Sequence, residues 1–219
     1  MKTIKKLFGL VIIGSVIFSC SSVKVVDSWN DLNETNLNGK NVMVVSQSED
    51  EIVRKQFEQD LVQNLTSSGI NSIESHKFFP FPLTGEELTE QELTNLKDEL
   101  TESRIDIVVM TLLKDVKEYT KTVTEGGTQY HVYSYPIVYR RGFYRGYYRY
   151  YYTIQMNTEP VTYVTSKNSK YILETVIYDI SKDDKDQLLS VITTEIDNPE
   201  SLGTTSKDFS KKIVKTLVK

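Results

Sequence analysis

Two helices capped by recognisable side chains and set between apolar strands constrain this chain more than any other feature. Asn41–Gln47 (NVMVVSQ) is an apolar run of strand length. Ser48 stands three residues before Glu51, the spacing of a capping box, and predicts a helix start. Val53, Phe57, Leu61 and Leu65 then recur every four residues as one apolar stripe, and Gly69 supplies a stop. Ile70–Ser75 reads as a second strand. Lys77–Gly85 (KFFPFPLTG), with two prolines, reads as a loop. Thr89 and Glu92 repeat the capping-box spacing, and Leu93, Leu96 and Leu100 predict a second amphipathic helix ending near Arg104. Ile105–Leu113 (IDIVVMTLL) is β-branched and nearly uncharged, with a more exposed, alternating continuation toward Thr124. Parallel strands need such helical crossovers, so this order demands a sheet with a parallel element.

The second half changes character. Lys170–Ile180 (KYILETVIYDI) and Leu188–Ile196 (LLSVITTEI) flank the turn Ser181–Gln187, the pattern of an antiparallel hairpin. Ser206 is placed to cap a last helix with the stripe Phe209, Ile213 and Leu217. The expected fold class is α/β with an α+β tendency. It is one mixed sheet of about five strands with about three helices, plus a Tyr/Arg-rich inserted loop or hairpin at about residues 125–159. No later linker divides residues 40–219, which read as a single domain.

Ahead of that domain lies a leader. Lys2, Lys5 and Lys6 precede the apolar run Leu7–Phe18 (LFGLVIIGSVIF). A dozen residues rise only about 18 Å as a helix, short of a ~30 Å hydrocarbon core. This is the length of an export signal, not of a membrane span. The run ends Ile17-Phe18-Ser19-Cys20, which resembles the lipobox of bacterial lipoproteins. The resemblance implies that residues 1–19 are a signal peptide, cut before Cys20, whose sulfur and new amino group are acylated. Ser21-Ser22-Val23-Lys24 carries neither the aspartate of an inner-membrane retention signal nor an acidic surface-export cluster. The expected address is the outer membrane, lipid-anchored and facing the periplasm. Residues 20–39, polar and turn-rich over Asn30–Lys40, read as a tether.

Composition bears on function at this point. One cysteine and two histidines are too few for a disulfide framework, a Cys/His zinc site or an iron–sulfur cluster. All 30 acidic residues lie beyond residue 20, so removing the leader leaves 23 basic against 30 acidic residues, a balance of −7. An acidic chain is poorly suited to general nucleic-acid binding, which needs a basic face.

From Asn41 to Lys219 the chain resembles a broad group of Gram-negative envelope lipoproteins. The carriers are Arg104–Leu113 (RIDIVVMTLL), the Tyr/Gly-rich middle, the LETxIYD strand Leu173–Asp179 and the segment Thr194–Pro199. The element order is also similar to curli-secretion lipoproteins, penicillin-binding-protein activator lipoproteins and the amino-terminal domain of the Tol translocation protein. The resemblance implies a non-catalytic binding or adaptor role toward another envelope protein or the cell wall. It supplies no catalytic residues.

The unusual segment is Tyr130–Thr153 (YHVYSYPIVYRRGFYRGYYRYYYT), which holds ten of the 14 tyrosines and four of the six arginines. No acid falls between Glu125 and Glu159. The candidate binding surface is Tyr139, Arg140, Arg141, Phe143, Tyr144, Arg145, Tyr147, Tyr148, Arg149 and Tyr150. Four readings fit: a cover for the sheet or for a second copy, a protein–protein surface, a contact with bilayer or glycan, and a single-strand nucleic-acid platform. The envelope address disfavours the last.

Catalytic signatures are missing from the sequence. His76 follows a strand end and His131 lies inside the tract, but no nucleophile elbow accompanies either. His76 reads as an ordinary loop or edge histidine and His131 as part of the tract. The acid pairs Glu49-Asp50-Glu51, Glu86-Glu87 and Asp183-Asp184 fit helix starts and a turn. No phosphate-binding glycine motif or calcium loop occurs, so neither cofactor nor metal is expected. The alternative function is an envelope-polymer (glycan) hydrolase using a carboxylate site that the sequence does not pair.

Overall fold

The computed structural model describes residues 22–30, 37–78, 89–121, 142–143 and 166–218. Six strands form one mixed sheet: β1 (Val23–Asn30), β2 (Asn41–Gln47), β3 (Asn71–Glu74), β4 (Ile107–Lys121), β5 (Ser166–Asp179) and β6 (Leu188–Asp197). Their spatial order is β1-β6-β5-β4-β2-β3. The β3-β2-β4 pairs are parallel, and β4-β5, β5-β6 and β6-β1 are antiparallel. The α-helices of the described residues are α1 (Glu51–Ser67), α2 (Glu90–Glu102) and α3 (Leu202–Leu217). This is the expected α/β fold with one strand more.

The sheet is apolar on both faces, which explains the unbroken apolar runs of β2 and β4. Val42, Val44, Ile107 and Val109 point to one face, under Phe57, Leu61 and Leu65 of α1 and Phe209, Ile213 and Leu217 of α3. Phe57 and Phe209 join the two helices with ring centroids 5.2 Å apart. Met43, Val45, Val108 and Met110 point to the other face, where Leu96 and Leu100 of α2 cover them.

Helices α1 and α2 close alike. The residue after each C-cap has a positive φ, Gly69 at 83° and Arg104 at 55°. The following amide then reaches back to the helix: Ile70 N to Leu65 O at 3.1 Å and Ile105 N to Leu100 O at 3.0 Å. The capping box of α2 is present, with Thr89 and Glu92 exchanging hydrogen bonds.

Three expectations need correction. The residues read as a tether include β1: Val23–Asn30 pairs antiparallel with β6 along a register broken between Val25 and Asp27. The cap of α1 is Asp50, not Ser48; its Oδ1 accepts from Ile52 N at 2.8 Å and Val53 N at 3.2 Å. Helix α3 is capped by Ser201, ahead of Ser206 in the chain. Ser206 is buried and donates to Gln56 O of α1 at 3.1 Å, tying the two helices together. No helix of the described residues is long and apolar enough to cross a membrane.

Candidate functional site

Of the sequence-derived site residues, Tyr139, Arg140, Arg141, Tyr144, Arg145, Tyr147, Tyr148, Arg149, Tyr150 and the lipidation candidate Cys20 lie outside the described residues. So does His131. Phe143 is described and requires a correction. It is 1% exposed, so it belongs to the core and not to a contact surface. A phenyl ring has no polar tip to keep in water, unlike the tyrosines around it.

Phe143 packs on Tyr178 of β5, ring centroids 5.8 Å apart and tilted by 57°. Its backbone N–H donates to Gln187 Oε1 at 2.8 Å, and Gln187 Nε2 donates to Lys182 O at 3.0 Å. Gly142 approaches the same turn so closely that a Cβ there would lie 2.7 Å from the Asp184 carbonyl oxygen. Its φ of 85° also favours glycine. The centre of the Tyr/Arg sequence is therefore pinned to the β5–β6 turn by two residues.

A second polar cluster lies at the carboxyl ends of parallel strands β2 and β3, the position where open α/β sheets place their sites. Glu58 of α1 is fully buried there. Its Oε1 accepts from Ser46 N at 3.0 Å, Arg54 Nε at 3.2 Å and Ser75 Oγ at 2.6 Å. Its Oε2 accepts from His76 N at 2.8 Å and from His76 Nδ1 at 2.7 Å. A carboxylate can only accept, so Nδ1 carries the proton. Arg54 is buried as well and reaches Ser75 Oγ through Nη2 at 3.1 Å. Five hydrogen bonds thus converge on this one buried carboxylate, three on Oε1 and two on Oε2. His76, which follows the end of β3, is held by Glu58, a partner the sequence did not name.

The third cluster is on the α2 face of the sheet, beyond its apolar half. Glu174 of β5 is fully buried and pairs with Lys114, whose side chain is 23% exposed. Lys170–Glu195 at 2.9 Å, Lys117–Asp115 at 3.6 Å and Tyr119 Oη donating to Asp197 Oδ1 at 2.6 Å continue the polar half. Burial raises the Glu174 carboxyl above its ordinary value of 4.5, against the opposing pull of Lys114 and with added repulsion from Asp27. Folded protein then holds this proton where unfolded chain has released it. The contribution to stability is full below 4.5 and is lost as pH rises through the folded value. Glu174→Gln keeps the shape without the titration. Urea midpoints of parent and variant should agree near pH 4, with the parent falling below the variant by about pH 8. A parent that gains on the variant across this range would contradict the assignment.

A glycan hydrolase needs two carboxyl groups facing one cleft. The four buried carboxylates of the described residues are Glu58, Asp60, Glu174 and Asp179, and each meets its own donor. Gln56 Nε2 donates to Asp60 Oδ2 at 2.8 Å, and Ser181 N donates to Asp179 Oδ1 at 3.1 Å. No group of three or more His, Cys, Asp or Glu among the described residues is arranged to hold a metal ion.

No protein-family model matches the chain, and no curated protein matches it. Among solved structures, the PelC dodecamer from Paraburkholderia phytofirmans is similar over 89% of this chain and 95% of its own, at 9% identity and a TM-score of 0.42. A single-substitution form of that dodecamer matches 89% of this chain and 97% of its own, at 8% identity and a TM-score of 0.42.

Proposed function

We propose that this protein is a lipoprotein of the bacterial envelope, anchored in the outer membrane through acyl chains on Cys20, facing the periplasm and binding rather than catalysing. The observation that carries the reading is a leader too short to span a bilayer that ends at the chain's one cysteine. Two or three acyl chains, at about 0.8 kcal/mol per buried CH₂, hold a protein on a bilayer essentially permanently. Support for a binding role comes from the engaged carboxylates and from a tract that concentrates tyrosine and arginine, the residues enriched at binding hot spots. The partner class is another envelope protein or the cell wall.

Anchoring is tested in a Gram-negative host. Cys20→Ser, or globomycin given to cells expressing the parent, should leave residues 1–19 attached, as read by the mass of the intact chain. Normal processing in both cases would refute it.

The tract is tested separately. In protein lacking residues 1–20, Arg140, Arg141, Arg145 and Arg149 are changed to Gln. Binding to peptidoglycan, to envelope extract and to anionic vesicles should be lost while the melting temperature stays that of the parent. Surface charge changes alone move stability by about 0.5 kcal/mol or less. Unchanged binding by a stable variant would remove the tract from the interface.

A further inference from the structure

Because β1 begins only three residues after Cys20, inside the expected tether, the distance between anchor and sheet is fixed by very few residues. We infer that the far end of the β4–β5 hairpin, residues 117–121 and 166–170, rests against the headgroups of the bilayer that holds Cys20. The inference rests on the reading of Cys20 as the anchor.

The register supplies the geometry. Val23 pairs with Ile196, Ile196 with Tyr171, and Tyr171 with Val116, so these four residues stand at one level across the sheet. The backbone of Ser22 is still tied down there, its carbonyl accepting from Asp197 N at 2.9 Å. Cys20 is three residues from Val23 and, fully extended, reaches about 10 Å beyond that level. The hairpin continues past the same level for five pairs, Lys117–Lys170 to Lys121–Ser166. Five residues span about 17 Å, and two steps of sheet twist, about 45° in all, shorten this to about 12 Å along β1. The hairpin end therefore projects as far as the acylated residue can, even with the link drawn tight. Acyl chains leave Cys20 for the hydrocarbon, and each headgroup layer is only about 5–8 Å thick. With the strands upright on this anchor, the described ends of β4 and β5 reach the level of that layer.

The sequence of the two arms suits the place. Among the described side chains they hold Lys117, Lys170 and Tyr119, with Glu118 the one acid. Lysine beside an anionic leaflet and tyrosine at the headgroup level are both favourable. Within the sheet, Lys117, Lys170 and Tyr119 also engage Asp115, Glu195 and Asp197. These contacts stiffen the base of the arms. The opposite end of the sheet, the turn Ser181–Gln187, should face away from the membrane.

The full chain is expressed in a Gram-negative host, purified, checked for acylation by mass and reconstituted into phosphatidylethanolamine/phosphatidylglycerol vesicles. A fraction of the lipid carries a nitroxide on its headgroup. Acylation consumes the chain's one cysteine, so a new cysteine takes a fluorophore at that site alone. Glu118→Cys reports the hairpin end and Lys185→Cys the far turn, both exposed positions about 37 Å apart along the strands at ~3.4 Å per residue. Val26→Cys reports the exposed edge strand β1. Glu118→Cys should lose most of its emission to the nitroxide, and the other two should keep theirs. Equal loss at Val26→Cys or Lys185→Cys would mean a sheet lying flat or inverted and would overturn the inference while leaving the anchor intact. An acylated protein with no loss at any probe would overturn it too. A chain recovered without acyl groups would sink the anchor and this inference together.

Discussion

Glu58→Ala is expected to lower folding stability by about 3–5 kcal/mol, because it leaves the Arg54 guanidinium buried without its carboxylate. Arg54 is 3% exposed and cannot turn to water without opening the α1–β3 contact. Four further donors lose the same carboxylate: the amides of Ser46 and His76, the Ser75 hydroxyl and His76 Nδ1. Against a usual total of about 5–15 kcal/mol, the loss takes roughly a fifth of the stability or more. Urea unfolding at neutral pH is the measurement, with an unchanged slope showing that the denatured state is the same. The double variant Arg54→Met, Glu58→Leu removes the charges together and should recover much of the loss, since buried pairs exchanged for apolar residues are often neutral. A cost below about 1 kcal/mol for Glu58→Ala would show that water reaches the cluster and that burial does not govern it.

Arg54 and Glu58 also mark where sequence reading stops. Their four-residue spacing is legible, but the same spacing describes any exposed helix pair, such as Glu51 and Lys55 at 2.5 Å. What buries the pair is the end of β3 delivering Ser75 and His76 over it, a contact 17 or 18 residues away in sequence. Strand β1 was hidden for a different reason. Val23 and Val25 alternate with Lys24, but the irregularity at Val26 shifts the phase, and Asp27-Ser28 then reads as tether. The start of α3 was displaced because Gly203, Thr204 and Thr205 are weak helix formers. Packing against α1 makes them helical all the same. By contrast, the stripes of α1, α2 and α3 and the largely apolar runs of β2, β4, β5 and β6 were plain, since burial on two faces selects apolar residues at most positions.

Phe143→Ala should cost about 3–5 kcal/mol, the range for deleting a buried phenyl ring from a packed core. The ring fills the space over Tyr178 on the α2 face, where the cluster runs from Leu96 and Leu100 to Leu188 and Val191. Its loss leaves a cavity beside a tyrosine hydroxyl that already lacks a hydrogen-bond partner among the described residues. Gly142→Ala attacks the same attachment without touching the ring. Its Cβ would sit 2.7 Å from the Asp184 carbonyl oxygen at a φ of 85°, so the β5–β6 turn or the Gly142 backbone must give way. The expected cost exceeds the ~1 kcal/mol that a compatible glycine-to-alanine change would return. The two variants separate fold from function. Both should speed tryptic cleavage after Arg140, Arg141 and Arg145 relative to cleavage at lysines of α1 and α3, because the tract is loosened at its centre. If the tract binds as a positioned surface, both should also weaken capture of envelope material at temperatures where the sheet is still folded, with all four arginines in place. Binding that survives in both would mean that the arginines act as a loose cationic chain and that the anchor at Phe143 serves stability alone. A cost below about 1 kcal/mol for Phe143→Ala, with an unchanged tryptic pattern, would deny the anchor itself.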